Sequence, residues 1–409
     1  MILMQIDSGK IEFLVGNKEV LEDSAETPVL PMFSEKMKGF LSDLSKELFS
    51  DPRSKGYKDV LSYAYWIRSS SLHQAEEKHT DRDMRLGRGL ALHIAPSNVP
   101  VNFAVSMTSS ALAGNISVVR LSSKPFVQAD IICEAMERLL TSAHSELRPY
   151  FCIIRYPHDP EITGWLSSMC DIRIIWGGDR TINEVRSAPL PARAIELTFA
   201  DRFSAAVIDS EAYLAQDPQK VAEGFYTDTY YTDQNACSSP RFVVWTGNSV
   251  PEARARFWKI LGELADRNYD MQPIQAVDKL TAICAAGMSL EGIRLVSSGN
   301  KVVRAELDRL TPDVMKFKTG GGLFFEYTAA ALDEIVPILT KQCQTISLLG
   351  IQPEAVRELV FSRGVRGCDR IVPLGQTMGL EFIWDGFRMI EAMTRYVYFD
   401  KKGEKYGLY

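Results

Sequence analysis

The central part of the chain alternates between short apolar runs and longer segments with helical periodicity. From residue 89 the apolar runs LALHIAP, ISVVRLS, FCIIRYP and IRIIWGG are separated by the helical patterns VNFAVSMTSSALAG, FVQADIICEAMERLLTSA and ITGWLSSM. Continuous β-branched runs between helices are typical of a parallel sheet that is covered on both faces. The pattern, which continues to SAAVIDS, predicts a doubly wound α/β domain of the kind that binds nucleotides at the carboxyl ends of its strands.

A second α/β unit is predicted after a junction that falls near residues 205–230. Its strand candidates are RFVVW, DVMKF, LFFEY, TISLLG and DRIVPLG, and its helix candidates include PEARARFWKILGELADR and PEAVRELVFSRG. Ahead of both units, the first 85 residues are mostly polar, with helical patterning in MFSEKMKGFLSDLSKELF and YKDVLSYAYWIRSSSL. Because ligand sites often form in clefts between domains, we expect a cleft where the two α/β units meet.

Composition excludes several classes of protein. The 409 residues carry a net charge of −6, which argues against nucleic acid as the main partner. No apolar run approaches the ~20 residues that span a bilayer, and the start of the chain, MILMQIDSGKIEF, lacks the features of a signal peptide. The seven cysteines include no C-x-x-C pair, and the five histidines have no metal-binding spacing. We therefore expect a reduced, cytoplasmic protein without a metal site.

Two loops carry candidate chemistry. In YYTDQNACSSPRFVVWTG, Cys237 lies among polar, turn-prone residues just before an apolar run. On this pattern alone it is either a buried thiol or a nucleophile. In HIAPSNVPVNF, Asn98 follows a predicted strand in a loop that Pro96 and Pro100 stiffen. Its amide either donates to an oxyanion, a contribution of roughly 3–4 kcal/mol in acyl-transfer enzymes, or satisfies loop backbone.

Five motifs in order identify the chain as a relative of a known family. It resembles the acyl-CoA or acyl-protein thioester reductases of the bacterial bioluminescence (LuxC-like) type, a branch of the aldehyde dehydrogenase superfamily. The resemblance extends from about residue 88 to 398. Its motifs are HIAPSNVPVNF, GNISVVRLSSK, DQNACSSPR, DRIVPLGQTM and FIWDGFRMIEAMTR.

The resemblance implies a fold and a reaction. The fold is aldehyde dehydrogenase-like: a doubly wound nucleotide-binding domain and a second α/β catalytic domain. The reaction is the NADPH-dependent reduction of an acyl thioester to an aldehyde through a covalent cysteine thioester. The expected domains are a helical N-terminal segment on the cofactor domain (1–85), the NADPH-binding domain (86–210), the catalytic domain with Cys237 (211–375) and a C-terminal segment with a possible part in oligomerisation (376–409).

By this resemblance three residues carry the chemistry. Cys237 takes the position of the nucleophile, and the side chain of Asn98 and the backbone N–H of Cys237 donate to the acyl oxygen. Glu196 takes the place of the superfamily's general base, 41 residues before the cysteine, although the glycine pair that usually follows this glutamate is missing. A thioester reductase need not activate water, so Glu196 either assists proton transfer or has a structural role.

The cofactor is expected to lie against loops of the first domain. The segment VVRLSSK resembles the one that meets the adenosine ribose, and it offers two cations, two hydroxyls and no carboxylate between residues 120 and 124. This favours NADPH over NADH, because a cation attracts the 2′-phosphate. A glycine pair in IIWGGDRT is placed to approach the pyrophosphate, and a glutamate in LFFEYT is expected at the nicotinamide ribose. The predicted cofactor-binding residues are Pro96, Ser97, Arg120, Ser122, Ser123, Lys124, Gly177, Gly178 and Glu326.

Two alternatives remain open at this stage. One is an aldehyde dehydrogenase that works oxidatively, with water or CoA as acceptor. The other is a catalytically silent subunit that binds acyl groups within a reductase complex. The expected partners are the acyl-CoA or acyl-protein substrate, an acyl-activating ligase or acyltransferase, and further copies of the chain in a homo-oligomer. The C-terminal turn Trp384-Asp385-Gly386 is expected to close the second domain.

Overall fold

A computed structural model describes residues 10–297 and 299–399. Its strands are β1 (Glu12–Val15), β2 (Arg85–Gly87), β3 (Leu90–Ile94), β4 (Ile116–Leu121), β5 (Phe151–Arg155), β6 (Ile172–Trp176), β7 (Ile195–Phe199), β8 (Phe203–Asp209), β9 (Pro240–Thr246), β10 (Ile293–Ser297), β11 (Val303–Leu307), β12 (Leu323–Thr328), β13 (Cys343–Leu349), β14 (Arg370–Pro373), β15 (Ile383–Trp384), β16 (Phe387–Arg388) and β17 (Thr394–Tyr396). Its α-helices are α1 (Lys18–Glu22), α2 (Glu35–Ser50), α3 (Lys58–Trp66), α4 (Ser69–Glu77), α5 (Asn102–Leu112), α6 (Val127–Leu140), α7 (Pro160–Met169), α8 (Asp179–Arg186), α9 (Ser210–Leu214), α10 (Pro218–Thr229), α11 (Val250–Asn268), α12 (Pro273–Ser289), α13 (Pro353–Arg363) and α14 (Met389–Ala392). Short 3-10 helices lie at Pro52–Gly56, Arg82–Met84, Ser145–Tyr150, Tyr230–Thr232, Pro312–Phe317 and Leu332–Ile338.

The chain divides into two compact units. In the described part, the first unit comprises residues 10–200 and 380–399, and the second comprises 201–297 and 299–379. The boundary lies ten residues before the expected 210/211, because β8 pairs with β9 and β13 and so belongs to the second sheet. The end of the chain returns to the first unit, where β17 pairs with β2.

The first unit is built on a six-stranded sheet of order β1-β5-β4-β3-β6-β7. All neighbours are parallel except β1, which runs antiparallel to β5 at one edge. Strand β3 is buried along its whole length, as expected for a strand that helices cover on both faces. The chain winds from β3 to β4 and β5 on one side, then crosses to β6 and β7 on the other. The carboxyl ends of β3 and β6 therefore flank the topological switch point, where ligands bind in such sheets.

The N-terminal helices share one apolar core with this sheet. Phe40 of α2 packs on Phe151 of β5 with ring centroids 5.0 Å apart, and Tyr63 of α3 is fully buried in the same core. Local signals fix where helices begin. At the start of α7 the Asp159 side chain accepts hydrogen bonds from the backbone N–H groups of Glu161 and Ile162, with Pro160 in the first turn.

The second unit is built on a seven-stranded sheet of order β10-β11-β12-β9-β8-β13-β14. Only β10 is antiparallel to its neighbour; the other pairs described in this sheet are parallel. The central strands β8, β9 and β13 are almost entirely buried. Their amino ends lie side by side, since Phe203 is paired with Cys343 and Ser204 with Pro240. This edge of the sheet carries the residues around Cys237.

Three sequence expectations about the fold were wrong. The run DVMKF forms the 3-10 helix Pro312–Phe317 rather than a strand, because Pro312 opens a helical turn that buries Val314 and Met315. SAAVIDS belongs to the second sheet. The Trp384-Asp385-Gly386 turn lies in the first unit, where it joins β15 and β16 and Trp384 packs against the core. Positive φ angles at Asp385 and Gly386 make it a tight hairpin turn.

Candidate active site

Cys237 lies in the loop that leads into β9. Its side chain is partly exposed, whereas its neighbours Ala236, Ser238 and Ser239 are buried. The loop turns sharply because Asp233 and Gln234 both adopt left-handed backbone conformations, with φ of 53° and 56°. Consecutive non-glycine residues in this region are strained, and such strain persists only where surrounding contacts hold it in place.

The side chain of Gln234 supplies those contacts. It is completely buried, and its amide nitrogen donates to the carbonyl oxygens of Pro240 and Leu323, each at 3.2 Å. Its amide oxygen accepts from the backbone N–H groups of Gly322 at 2.7 Å and Leu323 at 3.2 Å. The guanidinium of Arg241 donates to the carbonyl oxygen of Gln234. Gln234 therefore ties the loop of the cysteine to the beginnings of β9 and β12.

The thiol of Cys237 has a hydrogen-bond donor beside it. The side-chain nitrogen Nε2 of Gln344, a buried residue of β13, lies 3.0 Å from Sγ of Cys237. The backbone of the cysteine is held as well, because Ser204 Oγ donates to the Cys237 carbonyl at 2.8 Å and accepts from the Thr345 N–H at 3.2 Å. An N–H donor to sulfur favours the thiolate, which is the reactive form of cysteine.

Two cations act on the same thiol. Burial lowers the pKa of Arg241, and the negative charges of Asp201 and of an ionised Cys237 oppose this effect. Burial also lowers the pKa of Lys318, against the influence of its ion pair with Asp201 at 2.7 Å and of the Cys237 charge. Both cations are thus within electrostatic range of the sulfur. The surroundings of Cys237 thus include two cations, of which Lys318 is paired with Asp201.

The motif DRIVPLGQTM comprises β14 and the loop that follows it, and this loop packs beside the cysteine. The carboxylate of Asp228 accepts hydrogen bonds from the N–H groups of Gly375 at 2.6 Å and Thr377 at 2.9 Å. Burial raises the pKa of Asp228 to about 6. Within the same loop the sulfur of Met378 lies 3.8 Å from the hydroxyl of Ser238, the residue after Cys237. The motif thus contacts the loop of Cys237 through Met378.

The remaining predicted residues of the first unit lie mostly at the carboxyl edge of its sheet. Ser97 and Asn98 are exposed in the loop after β3, which is one side of the switch point. Gly177 and Gly178 follow β6 on the other side and precede α8. A Cβ added at Gly178 would meet no atom within 4 Å, so the backbone there is open to an incoming group.

A crevice next to this edge brings together three of the predicted cofactor residues. Its polar lining includes Ser122 and Lys124, and Pro96 forms part of its wall. The other lining residues are Ala95, Val99, Pro100, Phe103, Leu121, Phe126, Ala129 and Arg155. Ser123 is exposed next to the crevice, whereas the guanidinium of Arg120 lies 5.2 Å from the centre of the Tyr156 ring and is not part of the lining.

Glu196 lies in β7 of the first unit and is engaged by two arginines. Its carboxylate accepts from Arg173 Nε at 2.8 Å and Nη2 at 2.5 Å, and from Arg186 Nε at 2.5 Å. Arg173 is itself buried and also donates to backbone carbonyls of the first unit. Both oxygens of the carboxylate are thus engaged by guanidinium groups. The contacts favour the structural role over proton transfer.

Glu326 is completely buried within β12 of the second unit. Arg254 Nε lies 3.2 Å and Arg304 Nη1 lies 3.3 Å from its carboxylate oxygens. Burial raises its pKa to about 7, against the opposing effect of the two arginines. These ion pairs offset the cost of burying the Glu326 carboxylate within the sheet. Contact with a ribose stays a prediction.

The structure therefore adds residues that the sequence did not single out. Gln234 and Arg241 lie inside the quoted motif around Cys237, so the sequence already showed a polar residue and a cation close to the candidate nucleophile. Gln344 is 107 residues away from Cys237 in the chain, and the pairing of β8 with both β9 and β13 brings the two together. In residues 10–297 and 299–399, no cluster of His, Cys, Asp and Glu is arranged to hold a metal ion. No helix in that part of the chain has the length and apolar character needed to cross a membrane.

Solved structures with similar architecture are aldehyde dehydrogenases. Aldehyde dehydrogenase 21 from Physcomitrella patens superimposes with a TM-score of 0.68 at 11% sequence identity, covering 92% of this chain and 88% of that one. A 1-pyrroline-5-carboxylate dehydrogenase mutant from Thermus thermophilus gives 0.64 at 13% identity, covering 93% and 83%. At such low identity the likeness concerns the fold alone. The predicted aldehyde dehydrogenase-like α/β fold is confirmed.

Similarity in sequence points to a more specific group. A long-chain acyl-protein thioester reductase of Vibrio harveyi is 23% identical over 320 residues, which is 76% of this chain and 64% of that protein. The one from Aliivibrio fischeri is 25% identical over 167 residues, 40% of this chain and 33% of that protein. The chain thus matches between one third and two thirds of the length of these relatives. The model of the family described as acyl-CoA reductase (LuxC) matches residues 34–283, more than half of the chain, and the protein belongs to this family.

Proposed function

We propose that the protein reduces an acyl thioester to an aldehyde, with Cys237 as nucleophile and NADPH as reductant. The observation that carries the proposal is the setting of the Cys237 thiol. It is partly exposed in a loop held by buried contacts, 3.0 Å from the Gln344 amide and within range of two cations. A thiolate in such a setting is a good nucleophile towards an acyl carbon and a good leaving group afterwards.

The reaction then proceeds through an acyl-enzyme. Sγ of Cys237 attacks the carbonyl carbon of the donor, the donor's own C–S bond breaks, and its thiolate leaves with the electron pair. NADPH, when bound, supplies the hydride that reduces the acyl group. The resulting thiohemiacetal on Cys237 collapses to the aldehyde as its oxygen loses a proton, and the thiolate of Cys237 is restored. Overall, one thioester, one NADPH and one proton give an aldehyde, a free thiol and NADP⁺.

The side chains have separate tasks in this scheme. Gln344, Arg241 and Lys318 stabilise the negative charge on sulfur when Cys237 is free and again when the aldehyde leaves. We assign stabilisation of the acyl oxyanion to the amide of Asn98 and the backbone N–H of Cys237, following the family resemblance. The stiff loop around Asn98, with Pro96 and Pro100, supports this assignment because a donor must be fixed in advance to stabilise developing charge.

The first unit offers residues that fit a dinucleotide. Its switch point lies between the loop of Asn98 and the open backbone of Gly178, where amide N–H groups can approach a pyrophosphate. The neighbouring crevice combines apolar walls with the hydroxyl of Ser122 and the ammonium of Lys124. We propose that Ser122, Lys124 and Ser123 hold the ribose and its 2′-phosphate. Arg120, which does not line the crevice, adds positive charge nearby.

The ion pairs of Glu196 support reduction rather than oxidation. An aldehyde dehydrogenase that releases a free acid needs a base to activate water for hydrolysis of the acyl-enzyme. The candidate for that base is bound to Arg173 and Arg186. With that carboxylate held in two ion pairs, we propose that the acyl group passes to hydride rather than to water. The donor is proposed to be an acyl-CoA, as in the family description, or an acylated protein, as in the names of the relatives.

The experiment that tests this function follows NADPH absorbance with purified protein, a series of acyl-CoAs and an acylated carrier protein. Wild type is expected to oxidise NADPH only when an acyl donor is present and to release aldehyde in equal amount. Cys237→Ala is expected to lose this reaction, while its folding, followed by circular dichroism, is unchanged. Aldehyde oxidation without any thioester reduction would favour the oxidative alternative. Acyl binding without turnover on any donor would favour a silent subunit.

A further inference from the structure

Helix α12 of the second unit carries large apolar side chains on its exposed face as well as apolar residues on its buried face. Ile274, Val277, Leu280 and Met288 are exposed by 61%, 57%, 63% and 83%, whereas Lys279 is exposed by only 2%. A surface helix normally turns its apolar side chains to the core and its charged ones to water. The helix thus presents an apolar face outwards and keeps its lysine inside. An exposed apolar surface of this kind marks an interaction site.

The exposed residues follow a regular spacing. Ile274, Val277, Thr281, Cys284 and Met288 are all exposed and are separated by three, four, three and four positions. This is the heptad pattern through which one helix packs against another. We call these five residues, with the adjacent Leu280, the α12 seam. Its spacing indicates that the partner is itself a helix.

The seam cannot turn inwards, because the opposite face of α12 is fixed. Nζ of Lys279 donates to the carbonyl oxygens of Asn300 and Gly321 and lies 3.1 Å from the sulfur of Met271. The Gly321 N–H in turn donates to the carbonyl of Asp233 at 3.0 Å. Lys279 thereby connects α12 to the loop of Cys237. The orientation of the seam is part of the fold and not an accident of a loose helix.

Size and charge select a second copy of the chain as the partner. The large exposed side chains of the seam amount to roughly 400–500 Å² of apolar surface, within the range of patches that function in binding. That is about half of what each partner contributes to a standard interface, and the flanks of the helix and the exposed Leu295 of the neighbouring β10 extend it. The charged residues of α12 are Asp278 and the buried Lys279. Few charges mean little repulsion between copies and little to attract a charged partner.

We propose that the α12 seam is a homodimer interface, in which α12 of one copy packs antiparallel against α12 of a second copy across a two-fold axis. A two-fold axis brings the same patch of both copies together, so a seam that matches itself is sufficient. A consequence, which rests on the proposed function, is that dimer formation steadies the Cys237 loop through Lys279. Catalysis per chain should then fall when the dimer dissociates.

The test uses sedimentation velocity to compare the particle masses of wild type, a seam variant and a control variant. The double variant Val277→Glu, Leu280→Glu places four like charges across the proposed interface. The control is Phe361→Glu on α13, since Phe361 is 80% exposed and lies outside the seam. The seam variant is expected to have half the mass of wild type at equal concentration, whether wild type is a dimer or a dimer of dimers. The control is expected to keep the mass of wild type.

A second measurement uses Cys284 as a probe within the seam. Its alkylation by N-ethylmaleimide is expected to slow at least tenfold as the wild-type concentration rises, and to stay fast in the seam variant at every concentration. Equal masses of wild type and seam variant, or equal alkylation of Cys284, would overturn the proposal. The proposal would also be overturned if wild type were monomeric and the double variant lost activity only with an acylated protein. The seam would then be the binding surface for the acylated protein. Activity with acyl-CoA reports on the proposed function separately.

Discussion

The two sheets of this protein present their functional candidates at opposite ends of their strands. In the first unit the loop of Asn98 and the glycine pair Gly177-Gly178 follow the carboxyl ends of β3 and β6 and are open to solvent. In the second unit Cys237 lies where β9 begins, beside Gln344 near the start of β13. The first arrangement exposes backbone and side chains to solvent. The second surrounds one reactive atom with buried hydrogen bonds.

In the proposed function, the difference reflects two chemical tasks. A cofactor that must bind and leave in each cycle needs an accessible surface with many weak contacts. A nucleophile that forms a covalent bond needs a fixed position and a stabilised charge, because a small displacement is costly for catalysis. The buried clamp of Gln234 and the strained backbone of Asp233 serve the second task. The comparison predicts that changes near Cys237 have larger effects than changes near the crevice.

The largest effect is expected from Cys237→Ser. The hydroxyl is a far weaker nucleophile and a poorer leaving group than the thiolate, so turnover should fall by at least about 10³-fold. NADPH oxidation under saturating acyl-CoA measures this change. Cys133→Ala, in α6 of the first unit, is the matched control and should keep turnover within about twofold. Comparable losses in both variants would mean that the defect is one of folding and not of chemistry.

Asp228 is expected to make stability depend on pH. Burial raises its pKa to about 6 in the folded protein from the ordinary 3.8, so the folded state holds the proton more tightly than the unfolded state. The tighter binding of this proton contributes up to about 3 kcal/mol to the free energy of unfolding. This contribution is fully present below about pH 4 and is lost as the pH rises through about 6. Urea unfolding of wild type and Asp228→Asn between pH 4 and 7 measures the difference. Parallel pH profiles for the two proteins would contradict this account.

Gln344→Leu is expected to weaken the thiolate of Cys237. Removing a hydrogen bond to a charged sulfur should cost about 1.5–3 kcal/mol. Alkylation by iodoacetamide at neutral pH should slow by about tenfold or more, and its pH profile should move upwards by at least about one unit. Gln342→Leu offers a matched control, since Gln342 is exposed two residues earlier in the chain. An unchanged profile in Gln344→Leu would remove the amide from the proposed mechanism.

The smallest effect is expected at the crevice of the first unit. Lys124→Ala should raise the KM for NADPH by roughly fivefold to tenfold and leave the KM for NADH unchanged, because a partly exposed ion pair contributes about 1 kcal/mol. Lys341→Ala, which removes the same charge from an exposed position in the second unit, serves as control. If both cofactors respond equally to Lys124→Ala, the lysine does not recognise the 2′-phosphate. If Lys124→Ala had an effect as large as that of Gln344→Leu, the predicted difference between the carboxyl edge of the first sheet and the amino edge of the second would be wrong.

Much of the fold could be predicted because its strands are continuous apolar runs. β3, β4, β5 and β6 all coincide with runs that the sequence marked. DVMKF failed because a short apolar run fits a buried turn of helix as well as a strand. SAAVIDS was assigned to the wrong sheet because a hydrophobic run carries no information about which strands it pairs with. The Trp384-Asp385-Gly386 turn was misplaced because its contacts are with residues far away in the chain.

The candidate site was only partly readable. Cys237 stood out because an isolated cysteine in a polar loop is unusual, and Asn98 because two prolines flank it. Gln344 carried no local signal, since it is a single polar residue just before the predicted strand TISLLG and nothing in the sequence places it near Cys237. The arginine partners of Glu196 were equally hidden, because Arg173 lies in the middle of β6 and meets the glutamate only through strand pairing. Residues that act through tertiary contacts leave no trace in local patterns.

The central claim is that the acyl group passes through Cys237, and mass spectrometry tests it most directly. Wild-type protein is incubated with an acyl-CoA in the absence of NADPH, then digested and mapped. The account predicts a mass increase of one acyl group on the peptide with Cys237, which disappears on addition of NADPH as aldehyde forms. Turnover of NADPH without an acyl group on Cys237, or an acyl group on another residue that is lost at the same rate, would contradict it.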